Sequence, residues 1–183
     1  NSQGEVTSQF FAYEVDFRGG VNVAAGDVDG DGKEEIVTGP GENGGPHVKV
    51  FNNKGELQFR FSAYPSDFKT EVKVAVADVD PEDHSGQEEI IVAPGQGGGP
   101  HIRIFNDKAQ VVSQFFAYSE GFHGGINLTA GDINRDNSAE IITGAGPGGG
   151  PHVRYFDLQG RIVNSFYAYD KEFMGGVKVG LIN

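Results

Sequence analysis

The feature that most constrains this chain is its internal repetition. Phe10-Phe11-Ala12-Tyr13 returns as Phe61-Ser62-Ala63-Tyr64, Phe115-Phe116-Ala117-Tyr118 and Phe166-Tyr167-Ala168-Tyr169. Gly45-Pro46-His47-Val48 returns as Gly99-Pro100-His101-Ile102 and Gly150-Pro151-His152-Val153. A further phenylalanine marks each period at Phe17, Phe68, Phe122 and Phe173, giving spacings of 51, 54 and 51 residues. The long interval has one cause: three residues are inserted in the acidic run between Asp78 and Ile90, and the rest keeps register. A fixed period in this range means that one supersecondary unit is stacked on copies of itself.

Each unit holds four short apolar runs separated by turn residues. In the first unit these are Val21 to Ala25, Ile36 to Thr38, His47 to Phe51 and Leu57 to Tyr64. Val21, Val23 and Ala25 alternate with Asn22 and Ala24, the period of two expected of a strand. No segment sustains a 3.6-residue period. The fold class predicted is therefore all-β, with propeller blades of four antiparallel strands. The repeats span about 17–67, 68–121 and 122–172, with partial ones at 1–16 and 173–183, in a single propeller domain or segment. With no tryptophan, the phenylalanine and tyrosine rings must supply the bulky packing, and the tryptophan-aspartate signature of WD40 blades is missing. Kelch repeats have a compatible length but lack the acidic loops seen here.

Those loops carry the chemistry. Asp27-Val28-Asp29-Gly30-Asp31-Gly32-Lys33-Glu34-Glu35 places carboxylates at alternate positions, with glycines that permit a tight curl around one hard cation. The ligands expected are Asp27, Asp29, Asp31 and Glu35, with the Lys33 carbonyl as a further oxygen. An EF-hand would need a glutamate at the twelfth position, which is Thr38 within a strand. The third loop keeps the design through Asp132, Asn134, Asp136 and Glu140, with Ser138 at the place of Lys33. Asn137 replaces Gly32 there, the non-glycine residue best suited to a left-handed backbone. In the longer middle loop Asp78, Asp80 and Glu89 fit, and the fifth-position ligand is Glu82 or Asp83; this loop binds by a different path or not at all. The competing reading is that all three are solvated acidic turns. Against it, the loops hold 14 of the 26 acidic residues, a clustering that costs stability unless a cation neutralises it. Oxygen-only, flexible, carboxylate-rich sites select Ca²⁺, at two sites and with a third open.

These residues resemble the FG-GAP/VCBS repeat family, the calcium-binding propeller repeats of integrin alpha subunits and many secreted bacterial proteins. Phe17-Arg18-Gly19-Gly20 and its copies are similar to the "FG" element, and Gly39-Pro40, Ala93-Pro94 and Gly144-Ala145 to the "GAP" element. Thr70-Glu71 departs from the glycine pair in the second unit. The resemblance implies a four-stranded blade with calcium at the loop joining its first two strands. It implies adhesion or recognition more often than catalysis.

Composition removes other classes. Fourteen basic against 26 acidic residues give a net charge of −12, which excludes the basic footprint of a nucleic-acid binder. The absence of cysteine excludes disulfides and thiolate metal sites. No apolar run reaches the roughly 18 residues of a membrane span. No basic-then-apolar leader is present, so any targeting peptide is expected to have been removed or to lie outside this chain. There is no Gly-x-Ser-x-Gly elbow and no His-Glu-x-x-His pair, so no catalytic residues are assigned and no enzyme is expected. The glycine runs 41–45, 95–99 and 146–150 precede strands, not helices, and read as turns. His47, His101 and His152, each followed two residues on by Lys49, Arg103 or Arg154, read as hydrogen-bond donors within those turns.

Three blades and two stray strands cannot close a ring of the usual four to eight. The expectation is a piece of a six- to eight-bladed propeller, or a homo-oligomer that completes the circle. The function expected is a calcium-stabilised, extracellular or cell-surface scaffold that binds a protein or glycan. Alternatives are a lectin, using Tyr13, Tyr64, Tyr118 and Tyr169, and an accessory domain of a secreted enzyme. The same tyrosines read first as blade-to-blade packing.

Overall fold

In the computed structural model, residues 5, 6, 8–81 and 86–181 are described. Twelve strands form three four-stranded antiparallel sheets, each in simple sequence order. The first blade is β1 (Val21–Gly26), β2 (Glu35–Pro40), β3 (His47–Phe51) and β4 (Leu57–Ser62). The second is β5 (Val72–Ala77), β6 (Glu89–Pro94), β7 (His101–Phe105) and β8 (Val111–Phe116). The third is β9 (Ile126–Gly131), β10 (Glu140–Ala145), β11 (His152–Phe156) and β12 (Ile162–Tyr167). Each sheet lies inside one sequence period. Among the described residues no helix is long and apolar enough to cross a membrane.

The strands β1, β5 and β9 lie side by side at the inner edge, and the blades fan outward from them. Alternation along each strand sends one face to the preceding blade and the other to the following one. Thus Val72, Val74 and Val76 of β5 pack with Val37, Val48 and Val50 of the first blade. Ala75 and Ala77 on the opposite face pack with Ile126 and Ile141 of the third. Two apolar cores result, each sandwiched between sheets. The same register shift recurs near the end of the third strand, at Val50/Phe51, Ile104/Phe105 and Tyr155/Phe156. Alternation along the third strand turns Phe51, Phe105 and Phe156 toward the blade before, where each meets a ring of the aromatic motif. The pairs are Phe10 with Phe51 (4.8 Å), Phe61 with Phe105 (4.6 Å) and Phe115 with Phe156 (4.9 Å).

The aromatic motif is where sequence and structure part. The first copy, expected as one of the two stray strands, makes no ladder among the described residues and bends at Ala12 and Tyr13. Within the described residues no neighbouring strand of its own blade lies there to pair with it. Its side chains nevertheless dock as their repeats do. In the later copies the strand stops at Ser62, Phe116 and Tyr167, because the next amide donates to the carbonyl of a proline that has no N–H to return: Ala63 to Pro46, Ala117 to Pro100 and Ala168 to Pro151. At the other end Val177 and Val179 pack against Ile142, Val153 and Tyr155, and the Val177 amide donates to Ala145. That segment occupies the place of an inner strand without a partner strand of its own.

Thr70-Glu71, the departure from the glycine pair, is accommodated locally. Gly20, Gly125 and Gly176 have φ of 85°, 79° and 81°, a left-handed backbone that Glu71 does not adopt. The hydrogen bond made at this point survives: Gly41 donates to Gly20, Gly95 to Glu71 and Gly146 to Gly125. The Glu71 carboxylate is held by Lys73 at 2.6 Å and by the Asn22 amide at 3.0 Å.

Candidate metal centre

The loop between β1 and β2 begins at the Gly26–Glu35 pair and is organised by its own carboxylates. Asp27 accepts from the Gly30 amide at 2.9 Å and the Gly32 amide at 2.8 Å, closing the curl. Gly30 and Gly32 have φ of 76° and 82° there. Asp29 accepts from the Asp31 amide at 3.1 Å. Glu35, only 6% exposed, accepts from the Val28 amide at 3.1 Å.

Ligand oxygens of Asp27, Asp29 and Glu35 lie within 4.8 Å of one another. Two oxygens on opposite sides of a calcium ion, each about 2.4 Å away, would be about 4.8 Å apart, so the group has the size of a calcium shell. Burial raises the Glu35 pKa above its ordinary range, and the Asp29 charge adds to the rise. A cation held here would relieve both effects. Asp31 stands outside the group. Its carboxylate accepts from the Lys33 amide (2.9 Å) and from the Lys33 ammonium (2.7 Å), which hold its pKa below the usual carboxylate value.

The third loop reproduces this scaffold. Asp132 accepts from the Arg135 amide at 2.6 Å and the Asn137 amide at 2.9 Å, and Glu140 from the Ile133 amide at 3.1 Å. Arg135 and Asn137, with φ of 65° and 69°, take the two glycine positions, as expected for Asn137. Asp136 accepts from the Ser138 amide at 2.9 Å. The inward group differs. Asn134 uses its oxygen for the Asp136 amide (2.8 Å) and directs its NH₂ at Glu140 (2.5 Å) and Asp136 (2.9 Å). A donor thus stands where Asp29 offers a second oxygen, and turning the amide over would forfeit the Asp136 bond. Among the described residues, Asp27, Asp29 and Glu35 form the one carboxylate group with metal-binding proximity.

In the middle loop Glu89, 4% exposed, keeps the repeated role by accepting from the Val79 amide at 3.1 Å. The Asp78 carbonyl accepts from Ala139 of the next blade at 2.8 Å. The alternatives Glu82 and Asp83 lie outside the described residues, and Asp80 joins no three-carboxylate group among the described ones.

Glu88, which sequence reasoning did not single out, braces the first loop from the second blade. Its carboxylate accepts from the Asp27 amide at 2.7 Å, and its own amide donates to the Asp27 carbonyl at 2.9 Å. Gln87 donates to the Asp29 carbonyl at 3.1 Å. Burial raises the Glu88 pKa, opposed by the Asp27 hydrogen bond. The recurring Glu34-Glu35 and Glu88-Glu89 pairs, against Ala139-Glu140, were the signal available for it.

The Gly-Pro-His motif does other work than donating within its turn. His47 Nδ1 pairs with Ser62 Oγ across the strands at 3.2 Å, while His101 stacks on Phe116 (4.8 Å) and His152 on Tyr167 (4.6 Å). The cations two residues on reach back to the blade before. Lys49 donates to the Ala12 carbonyl (2.7 Å), Arg103 to Ala63 and Arg154 to Ala117 (2.8 Å). The glycine runs are turns, as read, with Gly44 donating to Gly41, Gly98 to Gly95 and Gly149 to Gly146.

Sheets fanned about their first strands, with acidic loops joining strands one and two, define a β-propeller-type repeat protein. Residues 19–53, which hold β1 to β3 of the first blade, match the FG-GAP repeat, and the resemblance read from the motifs is shown over that stretch. No curated protein matches the chain. Among solved structures it is similar to the rhamnogalacturonan lyase PL11 of Bacillus licheniformis, with a TM-score of 0.60 and 12% identity over 82% of this chain and 34% of that one. It is also similar to the exotype rhamnogalacturonan lyase YesX, with a TM-score of 0.57 and 13% identity over 77% of this chain and 31% of that one. The chain spans about a third of either structure, and the likeness is one of fold.

Proposed function

We propose that this chain is a calcium-stabilised β-propeller scaffold that works outside the cell as a non-catalytic binding module. The observation that carries the reading is the convergence of Asp27, Asp29 and buried Glu35. These three would hold the ion, with Asp31 and the Lys33 carbonyl available if the loop tightens. The third loop would form a weaker site through Asp132, Asn134, Asp136, Glu140 and the Ser138 carbonyl. Extracellular calcium modules commonly bind with Kd on the order of 10⁻⁴–10⁻³ M, which suits calcium-rich surroundings. The partner is a protein or a glycan. A role as part of a secreted enzyme's framework is the second reading, compatible with the fold shared with the lyases.

Thermal unfolding in calcium and in chelator tests the proposal. An ion bound only by the folded state at a hundredfold excess over Kd adds about 2.7 kcal/mol, or roughly 5–10 °C in Tm for a chain of this size. Identical transitions in both, with magnesium behaving the same way, would sink it.

A further inference from the structure

A cavity of about 730 Å³ opens between the turn at 14–19, the turn at 42–44 and strands β3 and β4. Its volume lies within the roughly 300–1,000 Å³ of small-molecule sites. We propose that it binds a small hydroxylated carboxylate, an acidic sugar of the hexuronate type. This rests on the reading of the chain as a binding scaffold and extends it to a particular blade and ligand chemistry.

The first blade breaks the repeat at two cross-strand pairs on one face, and three of the four residues, His47, Lys49 and Arg60, line the cavity. The first pair is His47 with Ser62, His101 with Phe116 and His152 with Tyr167 in successive blades. In the second and third blades an aromatic ring covers the imidazole. Ser62 reaches only the Nδ1 edge of His47, and no aromatic ring among the described residues stacks on it. The second pair is Lys49 with Arg60, where the later blades have Arg103 with Gln114 and Arg154 with Ser165. Elsewhere, then, one cation faces a neutral residue; here two cations face each other, an arrangement that costs stability in a sheet. Neither Arg60 nor Lys49 forms an ion pair among the described residues. Lys49 is fixed by the Ala12 carbonyl and lies over the Tyr13 ring at 4.7 Å. Among the described residues the Arg60 guanidinium has no partner.

An anion between Lys49, Arg60 and His47 would remove that cost. The other lining charges narrow its chemistry. Glu14 and Asp16 come from one turn and Glu42 from the other; Arg18 shares the first turn but spends its guanidinium on the Val15 and Phe17 carbonyls, and the remaining cations come from the strands. Carboxylates accept hydrogen bonds and repel a bare anion, so the ligand must present donors to the turns and its charge to the strands. Tyr13 and Phe17 supply an apolar wall of two rings 5.6 Å apart. A hexuronate meets all three demands, whereas a neutral hexose leaves Arg60 unpaired and acetate leaves the turn acids unused.

The test titrates the intact chain, in saturating calcium, with glucuronate and galacturonate. Galactose, acetate and glycine serve as controls, followed by calorimetry or by amide shifts. The expected result is saturable hexuronate binding at least tenfold tighter than any control. Ser62→Phe, which copies the second blade, and Arg60→Gln should each weaken it at least tenfold. Absence of hexuronate binding, equal binding of galactose, acetate or glycine, or an undiminished response in Ser62→Phe would overturn the site. The calcium shift in Tm is measured on the same samples, so failure of the pocket and failure of the metal reading are told apart.

Discussion

The Tyr118 hydroxyl donates to the carbonyl of His152 at 2.9 Å, reaching from the outer end of the second blade onto the third. Tyr13 does the same to His47 at 2.9 Å and Tyr64 to His101 at 2.8 Å. A buried hydrogen bond contributes about 1 kcal/mol net, and leaving its acceptor dry costs up to about 3. The one proton of the Tyr118 hydroxyl is shared between the His152 carbonyl and the Thr143 carbonyl at 3.2 Å, with Thr143 Oγ1 also in reach at 3.1 Å. Tyr118→Phe should therefore lower unfolding stability by about 1–3 kcal/mol with an unchanged m-value in urea. A variant as stable as the parent would remove the hydroxyl from the account.

The same burial makes these phenols reluctant to ionise. Desolvation pushes Tyr13 and Tyr118 up to about 12 and Tyr64 well above its ordinary value, against smaller opposing effects from Thr38, Thr143 and the neighbouring arginines. The folded pKa is raised, so the stability linked to the neutral phenol is complete below about pH 10 and is lost as pH climbs toward 12. Absorbance at 295 nm should show these phenolates only near pH 12 or together with alkaline unfolding. Ionisation of all six tyrosines near pH 10 in a chain that keeps its far-UV spectrum would contradict this.

On the acid side the histidines act. Burial, then the neighbouring arginine charge, lowers the pKa of His101 and of His152. The folded value is depressed, so the unfolded chain takes up protons first as pH falls below about 6.5. Stability linked to the neutral rings is present above that pH and drains away below it. The difference in Tm between the parent and a His101→Gln, His152→Gln double variant should change between pH 7.5 and 5.5. A constant difference would show that the rings are not linked to folding.

The two regular acidic loops should respond differently to one-atom exchanges. Asp29→Asn puts an amide where the first loop needs a carboxylate oxygen and should abolish most of the calcium-dependent rise in Tm. Asn134→Asp removes the inward NH₂ from the third loop and should tighten calcium binding there by tenfold or more. Calorimetric titration reads both, and equal stoichiometry and affinity in all three proteins would refute the distinction.

Most of the architecture was legible because the period of two and the period of about 51 agree. Val21, Val23 and Ala25 name a strand face, and Val72, Val74 and Val76 repeat it one blade on. The ends of the aromatic strands were less legible, since a strand needs a partner and Ser8 to Tyr13 has none in the described chain. Within the acidic loops the spacing located Asp27, Asp29 and Glu35 but could not show that Lys33 draws Asp31 aside. Nor could it show that Asn134 points its nitrogen inward, because an amide has no intrinsic preference for which end faces a carboxylate. Glu88, Lys49, Arg103 and Arg154 act on the adjacent blade, some 37 to 61 residues away in sequence, and a local pattern carries no information about such partners.

The tyrosine contacts all run in one sense, from each blade to its successor. During synthesis the ring of Tyr64 emerges well before the His101 carbonyl that it grasps, and Tyr118 before His152. Every blade that leaves the ribosome thus meets a latch already made, and assembly can proceed one blade at a time without waiting for the chain to finish.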